Sequence, residues 1–419
     1  MKFAIDSNKL QRHIDDLAAI TEAEPPAVTR VLFSEADLRA RAFVKSLCRE
    51  LALSIREDAI GNLFARWVGK DPALPRVATG SHIDAIPNAG RYDGVVGVLG
   101  ALEAMRALQA AGFEPKRSIE LIVFTAEEPT RFGIGCLGSR LLAGLLTPER
   151  VATLRDRDGL GVEQWLMKAG FPATSCSTLT DLVRLRRDSY AAFIELHIEQ
   201  GPLLEQENTP IGVVERIAAP GTLSMRLAGA GGHAGAVLMS DRRDALLASA
   251  EVALVVERAA KESGSPDTVG TTGVFRIEPG AVNSIPNRAV LEIDVRDTRL
   301  STRDAAVEMI ERSARDICAR RGIEVEIERL NMDPPAICDA ALVRTILAVC
   351  AELDLSAKKM ISRAYHDSLF MARICPTTMI FIPSHDGVSH RPDEFSSPKQ
   401  IAAGVEVLGQ ALARCAMAS

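Results

Sequence analysis

The run Gly80-Ser81-His82-Ile83-Asp84, followed at short range by Arg91-Tyr92-Asp93-Gly94, brings together residues suited to holding a metal. His82 offers an imidazole nitrogen to a cation. Asp84 can accept the ring's other N–H and fix its tautomer, the usual task of a carboxylate behind a ligating histidine. Asp93 has two oxygens, each able to face a different ion, so the pattern suggests a site shared by two metals. A His-x-acid tripeptide alone carries little information. With seven histidines and 55 acidic residues among 419, chance supplies roughly one, and the chain has three, at His13, His82 and His197. His13 serves as an internal control, because Leu10, Ile14, Leu17 and Ile20 recur at helical spacing around it and mark a partly exposed helix histidine.

The elements that must position these residues are legible nearby. A strand-like run from Arg76 to Thr79 delivers His82 and Asp84, and a turn from Pro87 to Gly90 returns Asp93 beside them. Gly94 to Leu108 places Val95, Val98, Leu102 and Met105 on one stripe of a helix. Ser118 to Thr125 reads as a buried strand ending at Glu127-Glu128, and Ala191 to Leu196 as a third ending at His197. Three strand ends thus present His/Asp, Glu/Glu and His. Strands alternating with helices indicate an α/β fold with a mainly parallel sheet, whose chemistry gathers at the strands' carboxyl ends. One of Glu127 and Glu128 would ligate metal and the other would remain free as a base. The strand Thr377 to Ile382 leads to His385 and His390, either of which fits a last ligand by spacing.

From about Ile211 the pattern changes to strand, helix, strand, strand, helix, strand, the split ferredoxin-like order. It predicts an inserted domain over 212–331, flanked by a catalytic domain in two parts, 1–211 and 332–419. The formal charge of −6 and the absence of basic clusters argue against nucleic acid as a partner. The longest apolar run, around Val95 to Leu102, is too short to cross a bilayer, and the start carries no apolar signal segment, so a cytoplasmic, membrane-free protein is expected. Eight scattered cysteines form no C-x-x-C pair. Cys136 is a candidate nucleophile, but no histidine lies near it in sequence to activate it.

Seven motifs in register carry a resemblance over nearly the whole chain: G-S-H-I-D, Y-D-G-V-V-G-V-L, F-T-A-E-E-P-T-R-F, L-H-I-E-Q-G-P, G-G-H-A-G, Asn283-Ser284-Ile285-Pro286 and S-H-R-P-D-E. The chain resembles the metal-dependent amidohydrolases that include allantoate amidohydrolase, N-carbamoyl-L-amino-acid hydrolase and ureidoglycolate amidohydrolase. The resemblance implies two divalent ions, manganese by preference, with zinc, cobalt or nickel compatible with the ligand types. One ion would take His82, Asp93 and His197, the other Asp93, Glu128 and His390. Glu127 would be the general base and His385 a bystander. The resemblance makes the insert a lid and homodimerisation surface, with His233, Asn283 and Arg296 as substrate contacts. Arg296 lies in Asp294-Val295-Arg296-Asp297, so a simple pairing with neighbouring acids is its plainer reading. Gln200, Arg363, Tyr365 and His366 complete the expected contacts.

Departures from the family pattern select within it. Where relatives read H-A-G-T-T-P-M and S-G-A-G-H-D-A, this chain has His233-Ala234-Gly235-Ala236-Val237-Leu238-Met239 and Ser362-Arg363-Ala364-Tyr365-His366-Asp367-Ser368. The bulk of Arg363 and Tyr365 should shrink the pocket, in keeping with a small ureido carboxylate. The pattern looks most like ureidoglycolate amidohydrolase, which implies conversion of (S)-ureidoglycolate to glyoxylate, ammonia and carbon dioxide. Allantoate or an N-carbamoyl-L-amino acid is the alternative substrate.

Overall fold

In the computed structural model, which describes residues 2–418, four apolar strands lie side by side and run in one direction. They are Thr377–Ile382, Tyr190–Ile198, Arg76–His82 and Ile119–Phe124. Every residue of Ile119–Phe124 and of Thr377–Ile382 is buried, as strands covered on both faces require. The expected mainly parallel sheet is in fact mixed. Leu63–Trp67 and Ser54–Glu57 extend it antiparallel on one side and Ile211–Ile217 on the other, where Ala336–Ile337 and Ala357–Ser362 join Ile211–Ile217 to make nine strands among the described residues. The reason is local: Asp58 accepts from Ile60 and Asn62, closing a tight turn between Ser54–Glu57 and Leu63–Trp67 that only antiparallel neighbours can share.

The helix Val95–Ala110 is buried on nearly every side between this sheet and the helix Pro398–Met417, which explains its apolar character all round. Pro398–Met417 begins with a capping box between Ser397 and Gln400 and a proline in its first turn. The helix Glu35–Glu50 starts at Ser34, whose hydroxyl accepts from Asp37 N and so caps it. Leu32, Phe64, Ile122, Phe124, Leu137 and Phe193 share a core cluster, each large apolar side chain contributing about 1.5–3 kcal/mol by leaving water. Four short helices, Leu137–Leu142, Pro148–Thr153, Val162–Lys168 and Cys176–Val183, supply part of it. No helix among the described residues is long and apolar enough to cross a membrane.

The chain divides into two compact units. One holds the residues up to Glu215, Ile337–Met360 and His366 onward, and the other holds Arg216–Ala336 and Ile361–Tyr365. In the second unit the strands Ala219–Ala228, Val269–Glu278, Arg288–Asp297 and Glu324–Met332 and the helices Ala245–Lys261 and Leu300–Arg321 follow one another as βαββαβ. Its antiparallel sheet runs Val269–Glu278, Arg288–Asp297, Ala219–Ala228, Glu324–Met332. Leu223, Met225, Leu291 and Ile293 of the sheet share one core with Val252, Val256, Val307 and Ile310 of the helices.

Two expectations change here. The first strand after Ile211, expected to open the inserted unit, does not belong to that unit's sheet: Ile211–Ile217 lies beside Thr377–Ile382, and Ala219–Ala228 is the unit's own first strand. The segment Ile361–Tyr365, expected in the C-terminal catalytic part, packs with the inserted unit. There the Ser362 carbonyl accepts from Ala218 N at 2.8 Å and Arg363 pairs with Asp267 at 3.3 Å.

Candidate metal centre

Parallel strands place their carboxyl ends on one edge of the sheet. His82 is the last residue of Arg76–His82, and His197 the penultimate residue of Tyr190–Ile198. Glu127 and Glu128 follow Ile119–Phe124 closely, through Ala126 at φ 54°. His390 lies in the loop after Thr377–Ile382. Asp93 arrives from the turn before Val95–Ala110, where Gly94 adopts φ 67° and a Cβ would stand 2.5 Å from the His82 ring. Glycine is what lets the helix start so close to that imidazole.

The two oxygens of Asp93 face different partners. Oδ1 is 3.1 Å from His197 Nε2 and 3.6 Å from His82 Nε2, while Oδ2 is 3.0 Å from His390 Nε2. His390 Nε2 also lies 3.3 Å from Glu128 Oε1. Two groups of mutually close ligand atoms contain Asp93, one with His82 and His197 and one with Glu128 and His390, every atom within 4.8 Å of the others in its group; Glu195, His197 and His366, and the partly exposed Glu205, His385 and Asp386, form two more. Asp93 belongs to both of the first two. Glu127 belongs to neither: its Oε2 stands 3.7 Å from His82 Nε2, and its Oε1 faces the Cys136 thiol at 3.5 Å.

The donor set suits divalent cations. His82 Nδ1 lies 3.0 Å from the Asp84 carbonyl and His197 Nδ1 2.9 Å from the Ile198 carbonyl. A carbonyl can only accept, so each Nδ1 carries a hydrogen, and Nε2 is the nitrogen that faces Asp93 and would serve as ligand atom once it gives up its own proton. Burial opposes ionisation throughout the cluster, and the groups therefore share charge. Burial alone would raise Asp93, but hydrogen bonds from His197, His390 and His82 hold it well below the usual carboxylate range. Burial, reinforced by Glu128, Asp367 and Asp93, raises Glu127 well above its ordinary value. Burial and then Asp93 push Glu128 up to about 7. The hydrogen bond to Asp93 lifts His390 to about 9 against its burial.

Asp84 differs from expectation. Its main-chain carbonyl, not its carboxylate, orients His82, and the carboxylate sits 3.7 Å from Nδ1. The carboxylate instead accepts from Glu127 N at 3.3 Å and Glu128 N at 3.1 Å, fixing the peptide that carries both glutamates. Gln200, expected to touch substrate, donates from Nε2 to Asp93 Oδ2 at 2.9 Å. His366 is buried with its ring centroid 4.5 Å from that of His197. His385 is exposed and pairs with Glu205 at 2.7 Å, apart from both groups that contain Asp93. Cys136 is fully buried, and burial raises its thiol well above the usual range, which keeps it protonated and unsuited to nucleophilic attack.

In the inserted unit, Gly232-His233 pairs with Ser284-Ile285, and Ala234 N donates to the Asn283 carbonyl, so His233 and Asn283 are neighbours. Arg296 holds Asp294 through Nε at 2.7 Å, reaches the Arg363 carbonyl at 3.4 Å and lies 5.6 Å from the Tyr365 ring centroid. Glu394, Ser389 and Glu195 escaped the sequence reading. Ser389 and Glu394 are the first and last residues of the recognised S-H-R-P-D-E segment, which carried His390 alone as a site residue. Glu195 hides in an apolar strand, accepting from Ser81 and Ser368.

The model of the family "Peptidase family M20/M25/M40" matches residues 78–414. Ureidoglycolate hydrolase of Oryza sativa subsp. japonica is 51% identical over 419 residues, covering 99% of this chain and 86% of that protein. Allantoate amidohydrolase of Bacillus subtilis (strain 168) is 31% identical over 410 residues, covering 98% of each. A crystal structure of AtUAH in complex with glyoxylate superposes with a TM-score of 0.92 at 50% identity over 99% of both chains, and one with (S)-hydroxyglycine matches equally.

Proposed function

This chain belongs to peptidase family M20/M25/M40, a family of hydrolases, and from that premise we propose that it cleaves the ureido C–N bond of (S)-ureidoglycolate. In net balance one water converts one substrate to one glyoxylate, one carbon dioxide and two ammonia, the ureido group yielding carbon dioxide and one ammonia and the hydroxyglycine left behind losing the second. The observation that carries this reading is the meeting of both ligand groups at Asp93, beside a glutamate left out of them, in a chain that matches ureidoglycolate hydrolases along its whole length.

His82, Asp93 and His197 would hold one divalent ion, and Asp93, Glu128 and His390 the other, manganese being our first choice. When bound, the pair supplies Lewis-acid activation of water and of the ureido carbonyl. Glu127 takes the proton of the attacking water and returns it to the departing nitrogen. The Asp84 carboxylate keeps Glu127 on station by accepting from its main-chain N–H. Among the residues of the insert, the fork of Arg296 suits the substrate carboxylate and the His233 imidazole suits a developing oxyanion, with Asn283, Arg363 and Tyr365 as further contacts. Gln200 and His366 complete the proposed substrate set. The proposal includes a homodimer formed through the insert and a cytoplasmic setting, in keeping with eight free cysteines.

The test is release of ammonia by manganese-reconstituted protein from ureidoglycolate, allantoate and an N-carbamoyl-L-amino acid, assayed side by side. Ureidoglycolate should be turned over with the highest kcat/KM and glyoxylate identified as product. A higher kcat/KM on either of the other two would reassign the substrate.

A further inference from the structure

Glu394 lies more than 300 residues from Asp93 in sequence and beside it in space. It is 4% exposed. Its Oε1 accepts from Tyr92 N at 2.8 Å and from Asp93 N at 3.1 Å, and its Oε2 accepts from the Ser389 hydroxyl at 2.8 Å. One carboxylate therefore ties the main chain that carries Asp93 to the residue that precedes His390. Gln200 closes the ring from a third segment, donating to Asp93 Oδ2 at 2.9 Å and to Ser389 Oγ at 3.2 Å. The approach is close enough to dictate a neighbour: a Cβ on Gly90 would meet Glu394 Cβ at 2.3 Å and Oε1 at 2.4 Å.

The two ligand groups differ in how they are supported. His82 and His197 are buried, fixed by strand ladders and by carbonyls on their Nδ1 atoms. The His390 side chain is 45% exposed, sits in a loop, and has φ 59°, a backbone conformation that costs a non-glycine residue energy unless its surroundings hold it. The Glu394 carboxylate, with Ser389 and Gln200, ties that loop to the main chain and side chain of Asp93.

We propose that Glu394 is a positioning residue for the metal centre, clamping the bridging Asp93 to the His390 loop so that the second ion, the one held by Asp93, Glu128 and His390, binds only when the clamp is closed. This rests on the two-metal reading above. Groups that orient metal ligands are worth about 10- to 100-fold in affinity when removed, and the asymmetry of support directs that loss to one ion of the two.

Equilibrium dialysis of full-length metal-free protein against manganese, with bound metal counted, provides the test. Wild type should bind two ions per chain. Glu394→Ala should keep the first affinity and weaken the second by about 10- to 100-fold. Glu394→Gln retains an oxygen for the two main-chain donors and should stay near wild type. Gly90→Ala, which drives a methyl group into Glu394, should reproduce the selective loss, and circular dichroism of each variant reports that the fold persists. Two wild-type affinities in Glu394→Ala, or equal weakening of both ions in a folded variant, would overturn the clamp. Fewer than two ions on wild type would instead overturn the dinuclear reading on which it rests.

Discussion

Asp93 meets three imidazoles with two oxygens, and the division between those oxygens defines where each cation would sit. Glu127 stands outside that division with its carboxyl pushed up by burial and by Glu128, a group disposed to take and return a proton. Glu127→Gln keeps the shape and removes the basicity. It should lower kcat by about 10²–10⁴-fold while metal content and melting temperature stay as in wild type, and an unaltered kcat would dismiss Glu127 as the base. The residues around this centre were legible in proportion to how much their chemistry restricts residue type. Few side chains can ligate a cation, so His82, Asp93 and the glutamate pair stand out in sequence. The tether of His82 did not, because its acceptor is a main-chain carbonyl that any residue at position 84 would supply. Glu394 stayed hidden for the same reason, since it holds main-chain N–H groups rather than a recognisable partner.

At the level of elements, Thr377–Ile382 is readable to its last residue, because a continuous apolar run bounded by Pro376 and Pro383 leaves no other choice. The segment from Leu137 to Val183 is the opposite case. Its helices span six to eight residues, too short for a periodic stripe to emerge, and they take their order from the core they cover. The insert's sheet has two unlike edges. Glu324–Met332 carries Glu324, Glu326, Glu328 and Arg329, the charges that discourage further pairing. Val269–Glu278 pairs on one side only among the described residues and exposes Val269 and Phe275. If the homodimer forms along that edge, sedimentation equilibrium should give the mass of two chains, and the double variant Val269→Lys, Phe275→Lys should give one. A wild type of single-chain mass, or a dimer indifferent to both lysines, would contradict dimerisation there.

Over the whole molecule, the order βαββαβ read in the sequence is the order in which strands and helices follow one another in the second compact unit, each helix long enough to show its stripe. The patterning missed the return of Ile361–Tyr365 to the insert, since five residues held by Ser362 and Arg363 carry no period at all. The sequence reads the central sheet as mainly parallel because its four apolar strands dominate the hydropathy, while the antiparallel direction of Ser54–Glu57, Leu63–Trp67 and Ile211–Ile217 is set by pairings that residue patterning does not encode. What unites these parts is a chain that gathers ligands from positions 82 to 390 onto one sheet edge. Anomalous diffraction at the manganese edge, from crystals grown with manganese, addresses that claim most directly. It should reveal two peaks per chain about 3.5–4 Å apart, one beside His82 and His197 and the other beside Glu128 and His390, with Asp93 between them. A single peak, or peaks remote from Asp93, would contradict it.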